Sequence, residues 1–227
     1  MENKITVSEH DPKWIQLYKD ERKRLKALLG KSLRAAYHIG ASSVKGLASR
    51  PVIDILAIVK DISVADSLSR GFEDLGYTCC GEMGIENRRY FCRSEGDVSY
   101  NLQIFEFTSR DDISKLISMK GYLISHPDKV KEYSDLKTKL ASSFPSDIRA
   151  YTDGKQEYLS TLQNEADKWS KDENTRSLYM SSGMCIGICV GTCFGVAFNN
   201  ISLGMCLGLS VGMCMGLALA GSVIKRK

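Results

Sequence analysis

The sequence predicts an α+β fold: a small mixed sheet with flanking helices, a helical arm, and an apolar two-helix hairpin. Three observations predict it. Short runs rich in Val, Ile, Tyr and Phe, bounded by Gly and Asn, lie among helical-period segments in the first half. From residue 111 the pattern is helical, broken at His126-Pro127 and Phe144-Pro145. From Ser177 there is no charge until the closing Lys225, Arg226 and Lys227, and glycines recur every fourth residue.

The first helix starts where Asp11 caps it and Pro12 suits its first turn. Trp14, Ile15, Tyr18, Leu25, Leu28 and Leu29 form its apolar stripe, and Gly30 ends it. Strands are expected over 32–38 and 52–59, with a loop over 40–50 between them. A helix is expected over 64–75, closed by Gly76, then strands over 88–93 and 98–107. Helices follow over 111–125 and from Asp128 to about residue 143. A third starts at Ser146 or Asp147 and runs towards Lys171. The expected organisation is a domain over 1–172, a linker over 173–179 and a hairpin over 180–227.

The 227-residue chain carries a formal net charge of +4. Three of those charges sit at the C-terminal end, so the rest is nearly balanced, which argues against a nucleic-acid binder. The opening residues are polar and charged, unlike a secretory signal. Cys79, Cys80 and Cys92 lie in the polar part; Cys185, Cys189, Cys193, Cys206 and Cys214 lie in the apolar part. They read as reduced thiols acting as small hydrophobes.

In the tail, Gly183, Gly187, Gly191 and Gly195 are followed, after Asn199-Asn200, by Gly204, Gly208, Gly212 and Gly216. Four-residue spacing puts each set on one helix face, where backbones can approach closely. Residues 180–198 and 201–224 each suffice to cross a hydrocarbon core of roughly 30 Å. Arg176 before the first span and the basic end after the second place domain and C-terminus on the cytoplasmic side. The tail is similar to glycine-zipper hairpins of bacterial membranes. Contact with membrane lipid is expected, and the glycine rows should face each other or the rows of a neighbouring copy.

The chemistry centres on residues 37–59. Val52, Asp54, Leu56 and Ile58 share one strand face, and Ile53, Ile55, Ala57 and Val59 share the other. A strand apolar on both faces lies between layers, so a carboxylate there needs a partner, a cation or an exposed strand end. The preceding loop offers Ser42, Ser43, Lys45, Arg50 and backbone amides near Gly40 and Gly46, all groups that suit phosphate. An ion pair of Asp54 with Arg50 or His38 that merely fixes the loop is the competing reading.

The run "HIGASSVKGLASRPVIDILAIV" resembles the signature of the GrpB family, roughly H-I-G-S-T-S-V-P-G-L-A-A-K-P-I-I-D-I. The resemblance continues through "GIENRRYF", "YLISHPDKVKEYSDLKTKLA" and "YTDGKQEYLSTLQNEADKW", covering nearly all of residues 7–169. The family is placed in the DNA polymerase beta-like nucleotidyltransferase superfamily. The resemblance implies a nucleotidyltransferase-like mixed sheet, a glycine-hydroxyl loop gripping nucleotide phosphates, and carboxylates holding Mg²⁺. Ser42, Ser43 and Arg50 would then grip phosphate, and Asp54 would be the catalytic acid and metal ligand.

The chain departs from that pattern. Gly40 is followed by Ala41, and Leu56 stands where the superfamily has a second acid. The neighbouring strand has Ser99, Asn101 and Gln103 on one face, where the family usually has histidines. One carboxylate and two amides suit at most one Mg²⁺ carried in with a nucleotide, not a two-metal clamp. Arg88, Arg89, Lys120, Lys137 and Lys155 match basic family positions; phosphate contact or ordinary surface charge is open for each. Two functions follow. One is a membrane-tethered protein binding a nucleotide or another phosphorylated ligand, with Mg²⁺ as possible cofactor and little catalytic power. The other is a non-catalytic adaptor assembled through its tail.

Overall fold

The computed structural model describes residues 5–225. Arg226 and Lys227, part of the expected basic end, lie outside the described residues.

Helix α1 spans Lys13–Leu29, and Asp11 accepts a bond from the Lys13 amide at 2.8 Å. Strand β1 (Leu33–Ile39) pairs antiparallel with β2 (Val52–Val59). The expected helix over 64–75 divides at Leu68 into α2 (Ser63–Ser67) and α3 (Ser69–Asp74). Gly71 lets α3 sit against α1, since a Cβ there would collide with the Leu28 side chain. A two-residue strand, β3 (Thr78–Cys79), was not expected; β4 (Arg88–Glu95) and β5 (Val98–Glu106) were. The sheet order is β1-β2-β5-β4-β3, and β2/β5 is a parallel pair within otherwise antiparallel neighbours.

The face parity of β2 holds. Ile53, Ile55, Ala57 and Val59 enter the main core with Trp14, Leu25, Phe72 and Leu102. Leu56 packs on the other face with Ile39 and Phe105. Within the first core a buried ion pair, Arg93 to Glu21 at 2.6 Å, links β4 to α1, and the Tyr77 hydroxyl donates to the same carboxylate. Pairing and bonding of that kind let a charge stay inside.

Helices α4 (Arg110–Ser125) and α5 (Pro127–Ser143) break at His126-Pro127 as expected. Asp147 caps α6 (Ile148–Ala197) by accepting from the Arg149 and Ala150 amides, both at 3.0 Å. The expected linker over 173–179 is part of this helix: it holds no Gly or Pro, and Arg176 pairs with Glu173 at 2.8 Å on its surface.

The chain forms two compact units, residues 1–167 and 168–227. In the second, α6 turns at Asn199 (φ 54°) into α7 (Ile201–Lys225), and Asn200 caps α7 through the Leu203 amide at 3.0 Å. The glycine rows of the two helices interlock. A Cβ added at Gly191 would lie 2.8 Å from the Gly208 Cα, and one at Gly187 would lie 2.9 Å from the Gly212 Cα. Ile186, Val190, Phe194, Leu203, Leu207 and Val211 remain exposed. Both helices are long and apolar enough to cross a membrane.

Candidate functional site

The site forms where the loop after β1 passes over the β2 carboxylate. Gly40 adopts φ 69°, a left-handed conformation, and presses on Asp54: a Cβ there would collide with the carboxylate. Ser42 is fully buried; its hydroxyl donates to the Val52 carbonyl at 2.5 Å and lies 3.1 Å from His38 Nε2. The hydroxyl hydrogen is committed to Val52, so Nε2 carries the hydrogen in that contact. Burial lowers the His38 pKa to about 4, so the ring is neutral near pH 7. Ser43 donates to the Gly40 carbonyl at 2.7 Å. Both expected phosphate hydroxyls thus shape the loop.

Asp54 lies deep in the domain yet keeps part of its surface open. Register places it between Ile39 and Asn101, and Asn101 donates to its Oδ1 at 2.9 Å. Its fixed partner is therefore an amide, not Arg50 or His38. Burial raises its pKa, opposed by the Asn101 bond and by Arg50, Lys155 and Lys137.

Those three cations come from three places in the chain. Arg50 closes the loop. Helix α5 is tied to the same loop by the Ser134 hydroxyl, which accepts from the Ala48 amide at 3.1 Å. Lys137 follows within one turn. Helix α6 approaches α5 closely at Gly154, where a Cβ would meet the Leu140 side chain at 2.7 Å, and it delivers Lys155. Arg50 Cζ and Lys155 Nζ lie 5.7 and 4.5 Å from the centroid of the buried Tyr151 ring. Lys137 Nζ lies 4.4 Å from the Tyr133 ring.

Lys137 is 3% exposed, and its ammonium has no hydrogen-bond partner among the described residues. Burial first, then the charges of Lys155 and Arg50, lower its pKa to about 7. Burial and Arg50 lower Lys155 to about 8. A buried ammonium normally fills its three donor sites, and this one fills none among the described residues.

The other expected residues are engaged elsewhere. Arg88 donates to the Glu82 and Met83 carbonyls and to Gln103 Oε1, at 3.1, 2.8 and 2.9 Å. It braces the turn before β4 and occupies Gln103. Arg89 pairs with Asp66 at 2.6 Å and with Glu82 at 3.3 Å on the surface. Lys120 donates to the His38 carbonyl at 2.9 Å and borders, with Gly40, Ala41 and Tyr133, a cavity of about 80 Å³. Tyr133 and Tyr151 were not singled out from the sequence. A signal was present: Tyr133/Lys137 and Tyr151/Lys155 share the four-residue spacing that sets a lysine over a ring on a helix.

The donor set does not fit Mg²⁺. Magnesium wants oxygen ligands and compensating negative charge. Here one carboxylate, already accepting from Asn101, faces three cationic side chains. Among the described residues no group of three or more His, Cys, Asp or Glu could hold a metal ion. Leu56, where a second acid would stand, is fully buried in the core.

Residues 4–165 match the family described as GrpB protein, which is more than half of the chain. The chain belongs to the GrpB family. Residues 173–222 match the family described as glycine zipper membrane protein. The GrpB domain is similar to UPF0157 protein YqkA of Bacillus subtilis, 32% identical over 171 residues, covering 75% of this chain and 50% of that protein. The chain thus spans about half the length of that relative. It is 25% identical over 166 residues to glutamate-rich protein GrpB of Alkalihalophilus pseudofirmus, covering 71% of this chain and 95% of that one. The crystal structure of GrpB from Enterococcus faecalis superposes with a TM-score of 0.68 at 32% identity, over 71% of this chain and 96% of that one. The chain is accordingly a membrane-associated GrpB protein.

Proposed function

We infer that the GrpB domain binds an anionic, phosphorylated ligand, such as a nucleotide, and that the glycine-zipper hairpin tethers it to a membrane. The observation that carries this reading is the buried ammonium of Lys137, which has no hydrogen-bond partner among the described residues and is set beside Arg50 and Lys155 at the loop over Asp54. The superfamily resemblance of the loop supports a nucleotide. Binding is favoured over chemistry because Leu56 and Gln103 are committed to the core and to Arg88. Arg176 before the first span and Lys225 after the second support a domain and C-terminus on the cytoplasmic side. The glycine rows are used within the hairpin, so contacts between copies would use its other faces.

The test is a thermal-shift screen of full-length protein in detergent against nucleotides and phosphorylated metabolites. A ligand at a hundred times its dissociation constant adds roughly 2.7 kcal/mol to stability. A blank screen, confirmed by calorimetry, would remove the reading.

A further inference from the structure

Resting on that reading, we propose that the site takes a phosphomonoester in its dianionic form, and that Arg50, Lys137 and Lys155 supply the positive charge with no metal ion taking part. Three cations and the Asp54 carboxylate lie within electrostatic reach of one another, leaving two net positive charges when the lysines are protonated. A phosphomonoester dianion neutralises them. A phosphodiester or a carboxylate, each carrying one charge, leaves a buried cation uncompensated.

Lys137 Nζ uses none of its three donor positions, although the side chain is almost wholly buried. A terminal phosphate presents three oxygens, one more than a diester has free, and each accepts strongly from charged donors. Arg50 and Lys155 approach from the ring of Tyr151 and Lys137 from that of Tyr133, so the donors converge from different helices and the loop. Arg50 also borders an open cleft of about 850 Å³ whose lining includes Val52, Ser94, Asp97, Ser99 and Ser146. An ester substituent would extend from Arg50 into that cleft.

A divalent cation would enter a site that already carries excess positive charge and offers one half-occupied carboxylate. The lysines stand where metal charge would otherwise be needed, so the ligand arrives without one. The lowered pKa values of Lys137 and Lys155 agree with cations held apart from any counterion until the ligand supplies it.

The experiment is calorimetric titration of full-length protein in detergent with methyl phosphate and with dimethyl phosphate, in EDTA and in Mg²⁺. At pH 7.5 the monoester is mainly a dianion, its second pKa being about 6. Methyl phosphate should bind in EDTA, dimethyl phosphate at least about tenfold more weakly, and Mg²⁺ should change neither appreciably. Asp54→Asn removes a negative charge and should tighten methyl phosphate binding by a factor of about 3–10. Under a metal-bridged mode the same variant would lose binding. Equal affinity for both esters overturns the dianion assignment, and binding that needs Mg²⁺ overturns the metal-free one; either leaves the anion site standing. Failure of methyl phosphate in both buffers overturns this proposal, whereas the broader reading falls only if the ligand screen is also blank. If Asp54→Asn does not fold, the ester and Mg²⁺ comparisons on the parent protein still decide.

Discussion

Helix α6 takes part in two helix pairs that use glycine in different ways. In the GrpB domain, Gly154 lets it approach α5 against the Leu140 side chain, and the pair carries buried cations and rings. In the hairpin, glycine meets glycine and no side chain intervenes. The domain tolerates charge inside because a polar loop and a carboxylate lie near it. The hairpin has no charge between Ser177 and Ile224 and relies on backbone contact, since lipid gives helices little hydrophobic reason to associate. One pair keeps cations and rings beside a carboxylate; the other keeps two backbones in contact.

The hairpin side of this contrast breaks most completely. Gly187→Leu with Gly191→Leu should force the helices from backbone contact towards the roughly 8–10 Å separation of side-chain packing. Spin labels at Ser181 and Ser222 would report the widening, and fractionation should show insertion unchanged. An unaltered label distance would mean that the glycine rows do not hold the helices together.

In the domain, Lys137→Met should act in opposite senses on stability and binding. It removes a buried, unpartnered ammonium, so the ligand-free protein should gain roughly 1–4 kcal/mol in denaturant titrations. Phosphomonoester affinity should meanwhile fall by at least about tenfold. A variant that loses stability at neutral pH would show that the ammonium is already satisfied. Gly40→Ala should cost about 1–3 kcal/mol, because alanine is strained at φ 69° and its Cβ strikes Asp54. Thermal unfolding would measure it.

Titration sharpens the same contrast. The unfolded chain keeps its lysines protonated to about 10.5, whereas the folded domain releases the Lys137 proton near 7 and the Lys155 proton near 8. The unfolded state therefore binds more protons across that window, and stability rises with pH there. Ligand-free protein should gain stability between pH 7 and pH 9, by at most about 1.4 kcal/mol per unit for each lysine. Lys137→Met should flatten the rise, and ligand affinity in the parent should decline as the lysines deprotonate. Arg89→Ala should have the smallest effect, about 0.2–1 kcal/mol, with affinity unchanged, because its partners are surface carboxylates.

Much of this was legible in the sequence. Pro127, Asp147 and Asn199-Asn200 mark helix ends by local chemistry, and they do so in the structure. The parity of residues 52–59 gave both faces of β2 correctly. The break at Leu68 left no mark in the sequence, which has no Pro or Gly at that position. Strand β3 is too short to carry a period. At the site, Asp54, Arg50 and Lys137 could be named as candidates, but not their convergence. That depends on Ser134 pinning α5 to the loop and on Gly154 admitting α6. Likewise Arg88 and Gln103 each looked available until their mutual bond was seen.

The interlocked glycine rows divide the hairpin's positions into two mutational classes. At Gly183, Gly187, Gly191, Gly204, Gly208 and Gly212 even one methyl group meets backbone of the facing helix. Backbone cannot rotate aside as a side chain can, so no larger residue is a mild replacement there. At Val190, Leu207 or Val211, which face outward, any apolar residue serves equally well. A saturation library of the tail should therefore return a bimodal distribution, with glycine alone accepted at every fourth site and broad apolar tolerance between them. Such a segment drifts freely in composition while its spacing stays rigid, so its information lies in where the chain has nothing rather than in what it has.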